Sequence, residues 1–449
     1  MTILQAAVIN LGCPKNEVDA EKLVHLLLAE GFELLADPEE AEIIVINTCA
    51  FIQPAVEEAI ETILDLAEYK KNANCHILAV CGCLSQRYGA ELLKEIPEID
   101  ILAGTDGFPE IPAAIKEFNK NPQPLNLVRQ TSDLDYGDTL RLPQSVSAPR
   151  SFSYLKISEG CDNRCSYCMI PAIKGKQQSF PLPTLLTQTK KMVTDGVREI
   201  NVIAQDITAY GRDLREKTSL CELLTELLQV SELGRLRLLY AYPHRVSDDL
   251  VKLIASESKL CNYLDIPIQH ISASVLKAMG RPEKEAEIRR TLDNLKTQNP
   301  EISLRSTVMV GFPGESDADF MELLKFVEKG FFDYLGAFSY SPESGSRAAE
   351  FPNQVAENIK KERLQAVLDV QQVITEQRLR AKIGSRQRVL IEGLSQESDL
   401  LLQGRCDFQA PEIDGLTYIT EIKNDIAPGI MVEAEIYDTH EFDLFARVI

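Results

Sequence analysis

The chain has 449 residues, 45% hydrophobic and 26% charged, so it exceeds the size at which a single core keeps growing, and two or three domains are expected. Its start carries no basic segment followed by an apolar one, and no apolar run reaches bilayer length, which points to a cytoplasmic protein without a membrane partner. A formal net charge of -21 disfavours nucleic acid as the primary substrate and favours a basic protein, while eleven cysteines, several tightly clustered, fit metal ligation better than a disulfide framework.

The first third alternates short β-branched runs (6–10, 43–47, 76–80) with helical periodicity (19–30, 56–69), which predicts an open parallel α/β sheet. Cys13 closes Leu11-Gly12-Cys13-Pro14-Lys15-Asn16, Cys49 closes Asn47-Thr48-Cys49, and Cys83 closes Cys81-Gly82-Cys83. All three follow the carboxyl ends of predicted strands, the edge where ligands bind in such sheets. Taken singly, each reads as a buried thiol; taken together they read as one three-cysteine site. Cys81 would point to the same side as Cys83 in an extended strand, but Cys83 lies in the turn and is assigned the ligand role. Cys75, Cys221, Cys261 and Cys406 show no partner spacing and read as packing residues.

Residues 120–150 are rich in turn formers and read as a linker. Domain bounds are therefore expected at 1–145, 146–382 and 383–449. In the middle unit, strand-like runs at 154–157, 199–204, 237–242, 263–268, 304–310 and 334–340 alternate with helical segments, predicting a full or partial (β/α)6 barrel.

The run Cys161-Asp162-Asn163-Arg164-Cys165-Ser166-Tyr167-Cys168 directly follows the first of these strands. Tetrahedral zinc sites and ordinary 4Fe-4S centres take four protein ligands, so three thiolates leave one iron open for another group. A zinc knuckle or three buried thiols is the plainer alternative. With Glu159-Gly160 before it and Met169-Ile170-Pro171 after, the run resembles that of the radical S-adenosyl-L-methionine (radical SAM) enzymes. That resemblance gives the later strand ends a meaning. Gln205, Asp206, Gly311, Gly314 and Glu315 are expected to bind the cofactor, the glycine turn allowing close approach to a flat adenosine. Gln269 and His270 are expected in a substrate pocket, although a lone histidine is as readily structural. The turn is not a phosphate loop, since the lysine and hydroxyl residue of that motif are absent.

Residues 383–449 read as about five short strands (389–391, 400–402, 417–422, 432–437, 444–449), hence a small OB-like β-barrel. Such barrels often bind RNA, yet here Arg386, Arg388, Arg405, Lys423 and Arg447 stand against thirteen acidic residues. A lysine- and arginine-rich protein would be attracted and a polyanion repelled.

The two cysteine trios with a terminal TRAM-like barrel make nearly the whole chain similar to the methylthiotransferase family. Asn10-Leu11-Gly12-Cys13-Pro14-Lys15-Asn16, Leu264-Asp265-Ile266-Pro267-Ile268-Gln269-His270-Ile271-Ser272, Val310-Gly311-Phe312-Pro313-Gly314-Glu315 and Phe338-Ser339-Tyr340-Ser341-Pro342-Glu343 look most like the branch that modifies the small-subunit ribosomal protein numbered twelve, on the β-carbon of an aspartate. The resemblance implies two 4Fe-4S clusters, on Cys161, Cys165, Cys168 and on Cys13, Cys49, Cys83, with no catalytic residue beyond these ligands. It also implies S-adenosyl-L-methionine, a reducing electron donor, a sulfur donor and a 5'-deoxyadenosyl radical, because an unactivated carbon has no acidic proton to remove. Both clusters must then face one cavity. The rival readings are a transfer RNA methylthiotransferase and a non-catalytic iron-sulfur or zinc RNA-binding protein.

Overall fold

The computed structural model describes residues 4–144, 150–282, 284–398, 400–421 and 426–449. The first sheet holds β1 (Gln5–Asn10), β2 (Glu33–Leu34), β3 (Ile43–Thr48), β4 (Ile77–Gly82), β5 (Ile101–Ala103) and β6 (Leu125–Leu127), all parallel, in the order β2-β1-β3-β4-β5-β6. Its central strands are apolar at nearly every position because both faces are covered. Ile44, Ile46, Leu78 and Val80 fill one core, while Ile43, Val45, Ile77 and Ala79 fill the other. The register pairs Asn10 with Asn47 and Asn47 with Cys81, so three adjacent strands end level.

The helix Pro14–Ala29 starts earlier than the apolar periodicity predicts, directly after Cys13. Proline in the first turn explains this, since its missing N–H needs no partner there. Residues 120–144 are also more ordered than a linker. β6 closes the edge of the first sheet, and buried Tyr136 shares a 2.8 Å hydrogen bond with Thr105 and donates to the carbonyl of Lys174 at 3.2 Å. The expected boundary at 145 falls on residues 145–149, which lie outside the described residues.

The second sheet begins with β7 (Phe152–Lys156), followed by a small hairpin of β8 (Ser158–Glu159) and β9 (Gln178–Ser179). β10 (Glu199–Ile203), β11 (Arg235–Leu238), β12 (Leu260–Asp265), β13 (Ser303–Val310) and β14 (Tyr334–Ser339) continue it in chain order, all parallel, as an open six-stranded partial barrel. A 24-residue helix, Glu357–Arg380, which the strand and turn pattern did not reveal, leads from it to the terminal unit.

There β15 (Arg386–Leu394), β16 (Leu402–Arg405), β17 (Thr417–Glu421), β18 (Met431–His440) and β19 (Asp443–Val448) form a closed barrel. The strand expected at 400–402 begins only at Leu402, and Ile422, expected to end the next, lies outside the described residues. The loop after β16 reaches the second sheet. Ala410 packs with Tyr154, Ile203, Leu239 and Tyr263, Asp407 pairs with Arg235 at 2.9 Å, and Tyr154 and Tyr263 donate to Glu412 and Asp414. Arg405 is fully buried and pairs with Glu199 at 2.9 Å. Burial works against the Glu199 charge, but Arg235, Arg405 and Arg237 outweigh it and hold its carboxyl well below the usual range. The charge expected to face a partner is therefore corrected: Arg405, Asp407, Glu412 and Asp414 are committed to contacts between domains, and Asp399, Lys423 and Asp425 lie outside the described residues. Among the described residues no helix is long and apolar enough to cross a membrane.

Candidate active site

The first trio is assembled by three loops that share hydrogen bonds. Asn16 donates through its amide to the carbonyls of Leu11 at 2.9 Å and Thr48 at 3.0 Å, and Asn47 donates to Asn10 and to the carbonyl of Asn16, both at 2.9 Å. Gly12 has φ +99°, and a Cβ there would lie 2.5 Å from Cβ of Cys49, so only glycine lets the Cys13 loop settle over Cys49. Gly82, at φ +95°, ends β4 and turns the chain into the helix Cys83–Tyr88. That turn breaks the alternation that would have put Cys81 and Cys83 on one side. Cys81 packs with Val45 and Ala79, its thiol 3.8 Å from the Asn47 side-chain oxygen, whereas Cys83 packs with the core on the other face.

The second trio lies on the loop between β8 and the helix Ile170–Lys174. The amides of Asn163 and Ile170 donate to the sulfurs of Cys161 and Cys168, both at 3.4 Å, and the Cys165 sulfur lies 3.5 Å from the Tyr242 hydroxyl. Burial pushes the Cys161 thiol up to about 11 and those of Cys83 and Cys168 up to about 12, and it raises Cys49 as well. Thiolate ligands must be deprotonated, so loading a metal centre here expels protons that these pockets otherwise retain.

All six sulfur residues line one cavity of 410 Å³, set where the carboxyl edge of the first sheet meets the mouth of the second. No other cysteine lines it among the described residues. Nor, among the described residues, is any group of three or more histidine, cysteine, aspartate or glutamate residues gathered tightly enough to hold a single metal ion. Three thiols on each side, with no fourth, fit a pair of cubane clusters that each keep one open iron.

The side chains around the thiols also fit a polar cofactor. The oxygens of Gln205 and Gln269 are buried without a hydrogen-bond partner, and both residues line the cavity. Each is an acceptor awaiting a donor such as an ammonium or a ribose hydroxyl. Gln269 is held at φ +67°, its amide donating to Thr307 at 2.9 Å and its carbonyl accepting from Met309 at 2.7 Å, so the strained backbone aims its side chain.

Other predicted residues stand elsewhere. Asp206 does not line the cavity; it caps the turn Ile207–Ala209, accepts from Asn163 at 3.0 Å and pairs with Arg245. Gly311, Gly314 and Glu315 form the turn after β13, where Glu315 accepts from the amides of Gly311 and Phe312 and pairs with Arg363 at 2.7 Å. They are not among the cavity-lining residues. Neither is His270, which is fully buried; its Nδ1 accepts from the Ser272 amide, and burial lowers it to about 4, so it is neutral. Sequence reasoning missed Lys174, Tyr240, Tyr242 and Arg281, all of which line the cavity. Their spacing gives no signal, since each is placed by the fold of the second sheet.

The two sheets are fastened by buried charges beside the thiols. Lys156 pairs with both Asp19 and Glu159, and Lys174 lies 3.6 Å from Asp19 and 3.4 Å from Glu159. Burial alone would raise the Glu159 carboxyl, but the two lysines reverse this and bring it down to about 2.

Residues 5–104 match the uncharacterized protein family UPF0004, 155–327 the radical SAM superfamily, and 383–449 the TRAM domain. The chain is 46% identical over 445 residues to the ribosomal protein uS12 methylthiotransferase RimO of Citrifermentans bemidjiense, covering 99% of this chain and 98% of that one. The RimO of Geobacter sulfurreducens is 45% identical over 445 residues, covering 99% and 98%. The chain belongs to the RimO family. Among solved structures, the radical S-adenosylmethionine methyltransferase TsrM from Kitasatospora setae aligns with a TM-score of 0.57 at 13% identity, over 75% of each chain. OxsB, a cobalamin-dependent S-adenosylmethionine radical enzyme, aligns with 0.54 at 12% identity, over 82% of this chain and 56% of the other. At such identities these likenesses speak for the fold of this RimO-family chain alone.

Proposed function

We propose that this RimO-family enzyme methylthiolates the β-carbon of an aspartate in ribosomal protein uS12, and that its domains run over 1–145, 146–382 and 383–449. The observation that carries this reading is the convergence of six thiols from two sheets on one cavity. When bound, the clusters and S-adenosyl-L-methionine supply the electron, the hydrogen-abstracting radical chemistry and the sulfur that an unactivated carbon requires. Cys161, Cys165 and Cys168 would hold one cluster, and Cys13, Cys49 and Cys83 the other.

The chain's own residues bind, orient and exclude water. Gln205 and Gln269 offer free acceptors to the cofactor's donors, and Gln205 is steadied by donating to Glu159 at 3.5 Å. Phe51, Ile52, Tyr240 and Tyr242 give the cavity a largely apolar wall, which keeps water from a reactive carbon centre. The turn Gly311 to Glu315, beside Gln269 at the end of β13, is the further candidate for the adenosine portion. An electron donor and a sulfur donor are required partners. The acidic chain and terminal barrel favour a basic protein over transfer RNA.

The test offers uS12 and transfer RNA separately to the anaerobically reconstituted enzyme with S-adenosyl-L-methionine and a reductant, followed by mass spectrometry. A methylthio increment on a uS12 aspartate is expected. Increment on an adenosine of transfer RNA, with uS12 unchanged, would overturn the reading.

A further inference from the structure

Of the cavity's two lysines, Lys174 is paired with Asp19 and Glu159, but Lys15 is not paired with any carboxylate among the described residues. Lys15 is only 9% exposed. Its ammonium stands 3.2 Å from the centroid of the Tyr240 ring, a cation-π contact that supplies no negative charge, and no carboxylate among the described residues pairs with it. Asp265 feels that charge, but its carboxylate accepts from the Tyr240 amide at 3.0 Å and lies outside ion-pair distance of Lys15. Tyr240 is itself held at φ +68°, a conformation that a tyrosine rarely adopts. The backbone is thus strained at the residue that props the ammonium in place.

A buried ammonium facing an apolar cavity without an anion is costly, and the cost is relieved when a carboxylate enters. The position fits as well as the charge. Lys15 follows Cys13 of the first trio by two residues and rests on the second sheet just beyond β11, so it spans the seam between the two sets of thiols. A carbon reached from both sides must lie near that seam, and in an aspartate the β-carbon is bonded directly to the carboxyl carbon.

We infer that Lys15 is the residue that selects an acidic side chain, its ammonium receiving the carboxylate of the target aspartate. This rests on the reading that uS12 is the substrate and deepens it. An asparagine or a neutral nucleobase in the same place leaves the ammonium unpaired and is rejected for that reason.

The experiment compares the anaerobically reconstituted full-length parent with K15M and K15R. Each is titrated with labelled uS12 and with uS12 whose target aspartate, located by mass spectrometry, is replaced by asparagine; binding is read by anisotropy and iron content is measured alongside. The parent should bind native uS12 roughly tenfold or more tightly than the asparagine form, K15M should bind both alike with its iron intact, and K15R should keep a preference. A K15M enzyme that retains the parent's full preference overturns the assignment of Lys15 while leaving the uS12 reading standing. A parent that modifies no aspartate of uS12 overturns both. Should K15M lose iron, K15Q replaces it; loss of iron in both makes Lys15 part of the cluster scaffold and overturns the inference.

Discussion

Lys156, in the first strand of the partial barrel, and Asp19, in the first helix of the other sheet, form a buried ion pair across the seam between the two units. The pair lies beside the cavity that the two cysteine trios share, and it keeps the two sheets in register with one another.

Removing one partner of a buried pair leaves the other charge uncompensated. Lys156→Met strips both Asp19 and Glu159 of their closest cation and should cost about 3 kcal/mol of stability. Denaturant unfolding of the apo protein measures this. A midpoint unchanged from the parent would show that the seam does not depend on the pair.

Gly12→Ala should selectively damage the first trio, because the added Cβ would meet Cβ of Cys49 at 2.5 Å in a backbone conformation that suits glycine. Reconstituted iron should fall by about half. The 5'-deoxyadenosine formed from S-adenosyl-L-methionine should persist, and methylthiolated uS12 should disappear. Full iron with full methylthiolation would contradict the close packing of the two loops.

Cysteine replacements should separate the half-reactions. Cys165→Ala is expected to abolish 5'-deoxyadenosine formation, while Cys49→Ala retains some of it and yields no methylthiolated uS12. Chromatography of the nucleoside product and mass spectrometry of uS12 report the two outcomes. Equal deoxyadenosine from Cys165→Ala and the parent would defeat the division of labour.

Acid should weaken the fold partly through His270. Burial lowers this imidazole from 6.5 to about 4, so between those values the unfolded chain takes up a proton that the folded chain refuses. The stability it contributes is present above pH 6.5 and is lost as pH falls toward 4, by about 3 kcal/mol at most. His270→Gln should flatten the stability profile of the apo protein across that window, and an unchanged slope would assign the acid sensitivity elsewhere.

The cysteine trios were legible because strand ends can be read from local pattern, and parallel strands bring their ends to one edge whatever the intervening length. That Cys83 rather than Cys81 lines the cavity was also legible, since Gly82 marks the turn. What local pattern does not carry is contact at long range. Lys15 meets Tyr240 across more than two hundred residues, and Asp19 meets Lys156 only once the two sheets have docked. The ion pairs of the later strand ends were hidden for the same reason: Asp206 and Glu315 look unpartnered in sequence, yet Arg245 and Arg363 reach them from distant elements. Similarly, Arg405 reads as a surface cation until Glu199 of β10 draws it inside.

The pairing of two open clusters over one cavity is tested most directly by iron and sulfide analysis of the anaerobically reconstituted chain and of variants lacking either cysteine trio. The account predicts about eight irons and about eight sulfides in the parent, and about four of each in either variant. About four irons in the parent, removed entirely by loss of one trio and untouched by loss of the other, would contradict it.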